Sequence, residues 1–121
     1  MSIFFHKEEL ELEIEEKKIS SWVCVVIEKL GYKPGDICLI FCKDNYLKEI
    51  NLQYLHHDYF TDIITFDYTN QKVISGDLFI SIDRVKENAK DNNVAFLNEL
   101  YRVIIHGVLH LCGYNDKTVS E

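Results

Sequence analysis

The chain has 121 residues, of which 47% are hydrophobic and 27% are charged, and its formal net charge is −7. This length and composition predict a single domain over residues 1–121, and they exclude both a disordered chain and a transmembrane helix, which needs roughly 20 apolar residues in a row. The acidic charge argues against tight, non-specific binding to duplex nucleic acid, because such binding depends on many cationic contacts to phosphates.

The first half of the chain predicts five elements. Residues 3–5 are apolar and are predicted to form a short strand. Acidic and apolar residues alternate over residues 9–15, and this period of two favours a second strand over an early helix start. Apolar residues at helical spacing follow until Gly31, which ends the predicted helix. The other two elements are a buried strand over residues 36–42 and a helix that Asp44 caps.

The next part of the chain predicts a hairpin and a polar helix. Residues 62–68 and 73–82 are rich in β-forming residues and are separated by a turn, so they predict two paired strands. Gly76 lies inside the second strand, where a glycine indicates a bulge or a close approach of another part of the chain. A polar helix is expected over residues 83–91. These elements favour the α/β or α+β class, with one mixed sheet covered by helices.

The last predicted helix, over about residues 94–112, carries the residues with the clearest chemistry. His106 and His110 lie one turn apart on it, about 6 Å along the axis, so both imidazoles can reach one metal ion. Gly113 can adopt a left-handed conformation that turns the chain and returns Asp116 toward the histidines. Two nitrogen ligands, one carboxylate and an open position for water are typical of a catalytic zinc site. The spacing therefore predicts a metal centre whose bound water takes part in catalysis.

The surroundings of the two histidines favour a metal over ordinary core histidines. The helix is apolar on nearly all sides and is predicted to be buried, so its imidazoles need partners. The zincin peptidases resemble this segment, but they place a general-base glutamate where this chain has Gly107. Glu99 lies about 10 Å from His106, which is too far to replace that base. We expect Glu99 to pair with Arg102, three residues later.

A broader resemblance covers residues 51–116. The segment HGVLHLCGYND resembles the HGxLHLxGYDH motif of the YbeY family, metal-dependent endoribonucleases that mature ribosomal RNA in bacteria. Residues 51–66 and 76–81 resemble the family's NxxY…D…TDVLSF and GDIxIS motifs. The resemblance implies an α+β fold, with a four-stranded mixed sheet, helices packed around it and a metal site on the C-terminal helix. It also implies a cytoplasmic hydrolase that acts on single-stranded or ribosomal RNA and meets ribosomal subunits or assembly factors, without DNA or membrane partners.

Carried over residue by residue, the resemblance makes His106 and His110 metal ligands and places Asp116 at the third position, where the family usually has histidine. The implied cofactor is one Zn²⁺ per chain, and Fe²⁺, Mn²⁺ and Ni²⁺ stay open because two histidines and a carboxylate also suit other metals. Leu55 stands where the family commonly has an arginine, a candidate phosphate-binding group. His57 is either a catalytic or phosphate-binding residue or a surface histidine in a loop, and no other catalytic side chain is assigned.

Two other functions stay open from the sequence. A zincin-like metallopeptidase would use the same metal ligands, and a non-catalytic ribosome-assembly factor would hold a structural metal. Aspartates at the predicted strand ends either support the metal site or cap turns: Asp62, Asp67 and Asp77. Aromatic residues before the hairpin either stack RNA bases or belong to the core: Tyr54, Tyr59 and Phe60. The cysteines are predicted to be reduced, and three are assigned to the core: Cys38, Cys42 and Cys112.

Overall fold

In the computed structural model, residues 2–57 and 60–114 are described, and they form four strands and four helices. The elements follow one another along the chain as β1 (Ser2–Lys7), α1 (Glu16–Lys29), β2 (Lys33–Cys42), α2 (Asp44–Leu55), β3 (Ile63–Asp67), β4 (Val73–Ser81), α3 (Ile82–Asp91) and α4 (Phe96–Leu111). Among these helices none is by itself long and apolar enough to cross a membrane, and only α3 and α4 taken together, across a bend of 117°, pass on length and composition.

The four strands form one mixed sheet in the order β1-β2-β4-β3. β2 pairs in parallel with both β1 and β4, whereas β3 and β4 form the predicted antiparallel hairpin, with Ile63 opposite Ile80. β3 is therefore an edge strand. The sheet and its helices confirm the α+β class with a four-stranded mixed sheet.

Helices cover the two faces of the sheet unequally. The main core joins β2 and β4 to α1, α3 and α4, and its centre includes Leu39, Leu78 and Ile104. A smaller core lies on the other face, where Leu47 of α2 packs with residues of β2, β3 and β4 that include Phe79. Leu78 and Phe79 point to opposite faces, as successive residues of a strand do. α2 therefore stands alone on its face of the sheet, while α4 lies on the opposite face.

The strand predicted over residues 9–15 is wrong. The β1 ladder ends where the Glu8 N–H donates to the Phe41 carbonyl at 2.8 Å, and Glu9 then adopts a positive φ of 53°. The segment that follows is neither strand nor helix, although its apolar side chains pack against the main core. A period of two shows that one side of an extended segment is buried, and it does not require that another strand pairs with it.

Asp44 is not the predicted cap of α2. Lys43 occupies the cap position, and Asp44 is the first helical residue. The Asp44 carboxylate instead accepts hydrogen bonds from Ser81 Oγ at 2.8 Å and from Arg84 Nη2 at 2.7 Å. A charge-assisted bond to a guanidinium is stronger than a bond to a neutral backbone N–H, so this side chain ties α2 to α3.

Gly76 confirms the predicted close approach of the chain. A Cβ atom at this position would lie 2.5 Å from the Phe66 carbonyl oxygen and 2.8 Å from Leu111 Cδ2. The irregularity in the neighbouring ladder is on β2, between Pro34 and Ile37. A glycine at position 76 therefore lets the last turn of α4 lie close to the β3–β4 hairpin.

Candidate metal centre

α4 positions His106 and His110 at the margin of the core. The helix is buried along the face that includes Leu100, Ile104 and Val108, as predicted. His106 is half-buried and His110 is exposed, so the imidazoles leave the core toward solvent rather than into it. This placement suits a site that substrate must reach.

Gly107 allows α4 to lie directly on the sheet between the two histidines. A Cβ atom at Gly107 would lie 2.7 Å from Ile63 Cδ1 and 3.1 Å from Leu78 Cδ1. A glutamate at this position would have to displace β3 and β4 side chains, so the general base of the zincin peptidases has no room here. The structure thus gives a packing reason for the departure from the peptidase motif.

His106 faces a small cavity of about 240 Å³ that also contains charged groups. Asp62, Ile63 and Arg102 line it together with His106. Arg102 Nη2 donates to Glu99 Oε2 at 2.6 Å and lies 3.9 Å from Asp62 Oδ2. Glu99 is 2% exposed. Its hydrogen bond with Arg102 confirms the pairing predicted from their spacing. Of these two carboxylates, only Asp62 lines the His106 cavity, and Glu99 is the buried partner of Arg102.

His110 faces a second cavity, of about 320 Å³, on the other side of the start of β3. Its lining residues come from α2, from the following loop, from β3 and from α4: Asn51, Leu55, His57, Thr61, Ile63, Ile64, Thr65 and His110. Ile63 lines both histidine cavities. The two cavities therefore adjoin at the edge strand, and the structure brings His57 and His110 into the same one.

The end of α2 fixes the position of His57. His56 ends the helix in the left-handed conformation, with a φ of 58°, and the His57 N–H donates to the Asn51 carbonyl at 3.1 Å. Asn51 is only 2% exposed. Leu55, which stands where the family commonly has an arginine, is 41% exposed and lines the His110 cavity. Asn51 was not among the site residues predicted from the sequence, although it is the asparagine of the NxxY match.

The predicted turn after α4 is present. The Gly113 N–H donates to the His110 carbonyl at 3.0 Å, and the Tyr114 N–H donates to the Leu109 carbonyl at 2.9 Å. With Gly113 at a φ of 96°, this is the Schellman motif, which reverses the chain at the end of a helix. Asp116 lies outside the described residues, as does Tyr59. Within residues 2–57 and 60–114, no three His, Cys, Asp or Glu side chains are grouped closely enough to hold a metal ion.

The described donors nevertheless fit a metal centre in chemistry and placement. Two imidazoles one turn apart supply two of the four positions of a zinc ion. Cys112, which is buried in the main core as predicted, is not available as a ligand. The other strand-end aspartates have different roles, since Asp67 accepts from the Thr69 N–H at 2.8 Å and Asp77 accepts from Tyr68.

Comparisons with known proteins give a consistent result. A family model described as "Endoribonuclease YbeY" matches residues 4–121. A relative of that name in Parabacteroides distasonis is 52% identical over 122 residues, which span 100% of this chain and 86% of the relative. Another, in Flavobacterium psychrophilum, is 55% identical over 114 residues, 93% of this chain and 81% of the relative. The solution structure of TM1509 from Thermotoga maritima matches with a TM-score of 0.62 and 29% identity, over 94% of this chain and 74% of that chain.

Proposed function

The chain belongs to the YbeY endoribonuclease family, and from this we propose that it hydrolyses phosphodiester bonds of single-stranded RNA during the maturation of ribosomal RNA. The match of the family model to residues 4–121 confirms the resemblance found in the sequence. The observation that carries the proposal is the pair of imidazoles on α4, which face adjoining cavities at the edge of the sheet.

We propose that His106, His110 and Asp116 hold one divalent metal ion, with zinc as the expected metal. The histidine spacing and the turn at Gly113 support this set of ligands. When bound, the ion supplies Lewis-acid charge beside the scissile phosphate. None of the described residues that line the His110 cavity is a lysine or an arginine, so these residues supply no Lys or Arg charge to the phosphate.

His57 is the proposed acid–base residue. It lies in the same cavity as His110, and an imidazole is the side chain whose ordinary pKa lies nearest to neutral pH. A phosphodiester bond breaks when a proton leaves the attacking oxygen and another reaches the leaving oxygen, so a histidine within reach can serve either step. Asn51 fixes the backbone of His57 through its carbonyl, and the buried Asn51 therefore acts as a positioning residue.

The setting of the reaction is also a proposal. The family resemblance favours ribosomal RNA as the substrate, ribosomal subunits or assembly factors as partners and the cytoplasm as the location. An acidic surface suits this arrangement, because a net charge of −7 disfavours indiscriminate binding of RNA and leaves selection to a local site.

Elemental analysis combined with cleavage assays tests the proposal. We expect about one zinc per chain in the purified wild type, and loss of both metal and RNA cleavage in His106→Ala and His110→Ala. His6→Ala is the matched control, because His6 is an exposed histidine on β1 that pairs with Glu8. Cleavage and metal content that stay unchanged in His106→Ala and His110→Ala would contradict the proposed site.

A zinc-containing protein that binds ribosomal RNA without cleaving it would instead support a non-catalytic assembly factor. Cleavage by His57→Ala at the wild-type rate would remove His57 from the mechanism and leave the metal ligands in place.

A further inference from the structure

A larger cavity, of about 520 Å³, lies beside α2 and away from both histidines. It is formed by α2, β3 and β4, and aromatic and acidic side chains dominate its walls: Tyr46, Glu49, Ile50, Gln53, Tyr54, Phe66, Tyr68, Asp77 and Phe79. We call it the aromatic cavity. Its size is within the range of small-ligand sites, which is roughly 300–1,000 Å³.

The aromatic cavity and the His110 cavity lie on opposite flanks of α2. With 3.6 residues per turn, Glu49 and Gln53 project about 160° around the helix axis from Asn51 and Leu55. β3 contributes to both cavities, with Phe66 in one and Thr65 in the other. A strand of RNA that leaves the His110 cavity over the last turn of α2 therefore reaches the aromatic cavity next.

The aromatic side chains of the cavity pack against one another, and two of the tyrosine rings are exposed to solvent. Phe66 meets Tyr54 edge to face at 5.8 Å between ring centroids, and it meets Phe79 in the same way at 5.7 Å. Tyr54 is 60% exposed and Tyr68 is 61% exposed. An exposed ring that is held from behind by other rings can stack on a planar ligand without being ordered by it, which favours binding.

The charged groups of the cavity are carboxylates, which repel phosphate. Glu49 and Asp77 are carboxylates, and no described residue in the lining is a lysine or an arginine. Tyr68 Oη donates to Asp77 Oδ2 at 3.3 Å, which holds this carboxylate at the wall. Such a site excludes the backbone of a nucleic acid and accepts neutral groups that carry N–H donors.

We propose that the aromatic cavity binds one unpaired nucleobase of the RNA substrate and selects a base with an exocyclic amino group. This inference rests on the proposed function, because the base belongs to the same RNA strand as the scissile phosphate at the His110 cavity. Cytosine, adenine and guanine each carry an amino group that can donate to a carboxylate. Uracil has no amino group: it offers Glu49 and Asp77 only its one ring N–H, and its carbonyl oxygens are repelled by these carboxylates. Tyr54 supplies the stacking surface, as aromatic side chains do for unpaired bases.

Binding of short, non-cleavable 2′-O-methyl oligonucleotides tests the proposal, measured by fluorescence anisotropy with the metal chelated. We expect an oligouridine with one central adenine, cytosine or guanine to bind about tenfold more tightly than oligouridine alone. Tyr54→Ala should remove this difference, and Tyr54→Phe should keep it because the ring remains. Asp77→Asn should narrow it, because an amide also donates to the carbonyls of uracil.

The control variants are Phe4→Ala, an exposed aromatic residue outside the cavity, and Asp91→Asn, an exposed aspartate on α3. Both should bind every oligonucleotide as the wild type does. Equal wild-type affinity for oligouridine and for the substituted oligonucleotides would overturn the proposal. Equal affinities in Tyr54→Ala, Tyr54→Phe and Phe4→Ala would also overturn it, and the thermal midpoint of each variant shows that it is folded.

The same experiment separates this inference from the proposed function. His106→Ala should lose cleavage and keep the base preference in binding. A wild type that prefers amino-bearing bases but cleaves no RNA contradicts the proposed function and leaves the base site in place. A wild type that cleaves RNA without any base preference in binding contradicts only the base site.

Discussion

Gly107 lies so close to Ile63 that a Cβ atom added to it would approach Ile63 Cδ1 to 2.7 Å. The contact joins the middle of α4 to the start of β3, and Ile63 lines the cavities of both histidines. The placement of the two histidine cavities therefore depends on how closely this helix lies on this strand.

The first prediction concerns that contact. Gly107→Ala should lower the free energy of unfolding by about 1–3 kcal/mol, because overpacking outweighs the gain of about 1 kcal/mol in helix propensity. RNA cleavage should fall as well, since Ile63 must move. Ile63→Val removes the Cδ1 atom, so the double variant should recover most of the loss in urea unfolding. An equal cost of Gly107→Ala in the wild type and in the Ile63→Val background would show that the strain lies elsewhere.

Zinc should stabilise the folded chain through the two histidines. A ligand that binds only the folded state stabilises it by about 2.7 kcal/mol at a concentration a hundred times its Kd. Addition of zinc to the metal-free protein should therefore raise the Tm of the wild type and of His6→Ala by several degrees. His106→Ala and His110→Ala should show little change in scanning calorimetry. Equal shifts in all four proteins would mean that zinc binds at another site.

Arg102 should stabilise the fold because it neutralises a buried carboxylate. Glu99 is almost completely buried and receives the guanidinium at 2.6 Å. Arg102→Met should cost about 1–3 kcal/mol of unfolding free energy, because it leaves Glu99 without this partner. The double variant Glu99→Leu/Arg102→Met should recover most of the loss, since it also replaces the buried carboxylate of Glu99 by an apolar group that needs no partner. A double variant as unstable as Arg102→Met would argue against this account.

Cys42 should make the stability of the protein fall at alkaline pH. Burial, with added repulsion from Glu8, Asp44 and Asp83, raises the pKa of this thiol from 9.0 to about 12. Below pH 9 both the folded and the unfolded chain keep the proton, so the contribution of Cys42 to stability is complete. Between pH 9 and 12 the unfolded chain releases the proton first, and that contribution is lost.

The measurement is urea unfolding at a series of pH values above 8. Cys42→Ala should lose stability less steeply than the wild type as the pH rises. Cys24→Ala, in which a half-buried thiol is removed, is the comparison and should stay closer to the wild-type slope. Parallel slopes for the wild type and Cys42→Ala would contradict the assignment.

The features that were predicted correctly depend on residues close to one another in the sequence. Gly31 and Gly113 end α1 and α4 at positive φ, as their positions after apolar helical runs indicated. The pairing of Glu99 with Arg102 followed from a spacing of three residues, and the histidine pair followed from a spacing of four.

The features that the sequence did not predict depend on distant partners. The position of Asp44 at the start of a helix predicted a cap. Ser81 and Arg84, which are distant in the sequence, donate to its carboxylate instead. Leu55 matched the apolar period of α2, but the last turn of that helix extends beyond the small core, so Leu55 is exposed in the cavity of His110. Helical periodicity describes one helix and carries no information on how far the sheet beneath it extends.

The strand order has a consequence for a chain made from its N-terminus onward. α2 and α4 lie on opposite faces of the sheet, and the parallel ladder between β2 and β4 joins the halves of the chain that carry them. Until β4 has been synthesised and has inserted between β2 and β3, His57 and His110 have no common cavity. A nascent or partly unfolded chain therefore lacks the cavity that His57 and His110 share in the folded protein.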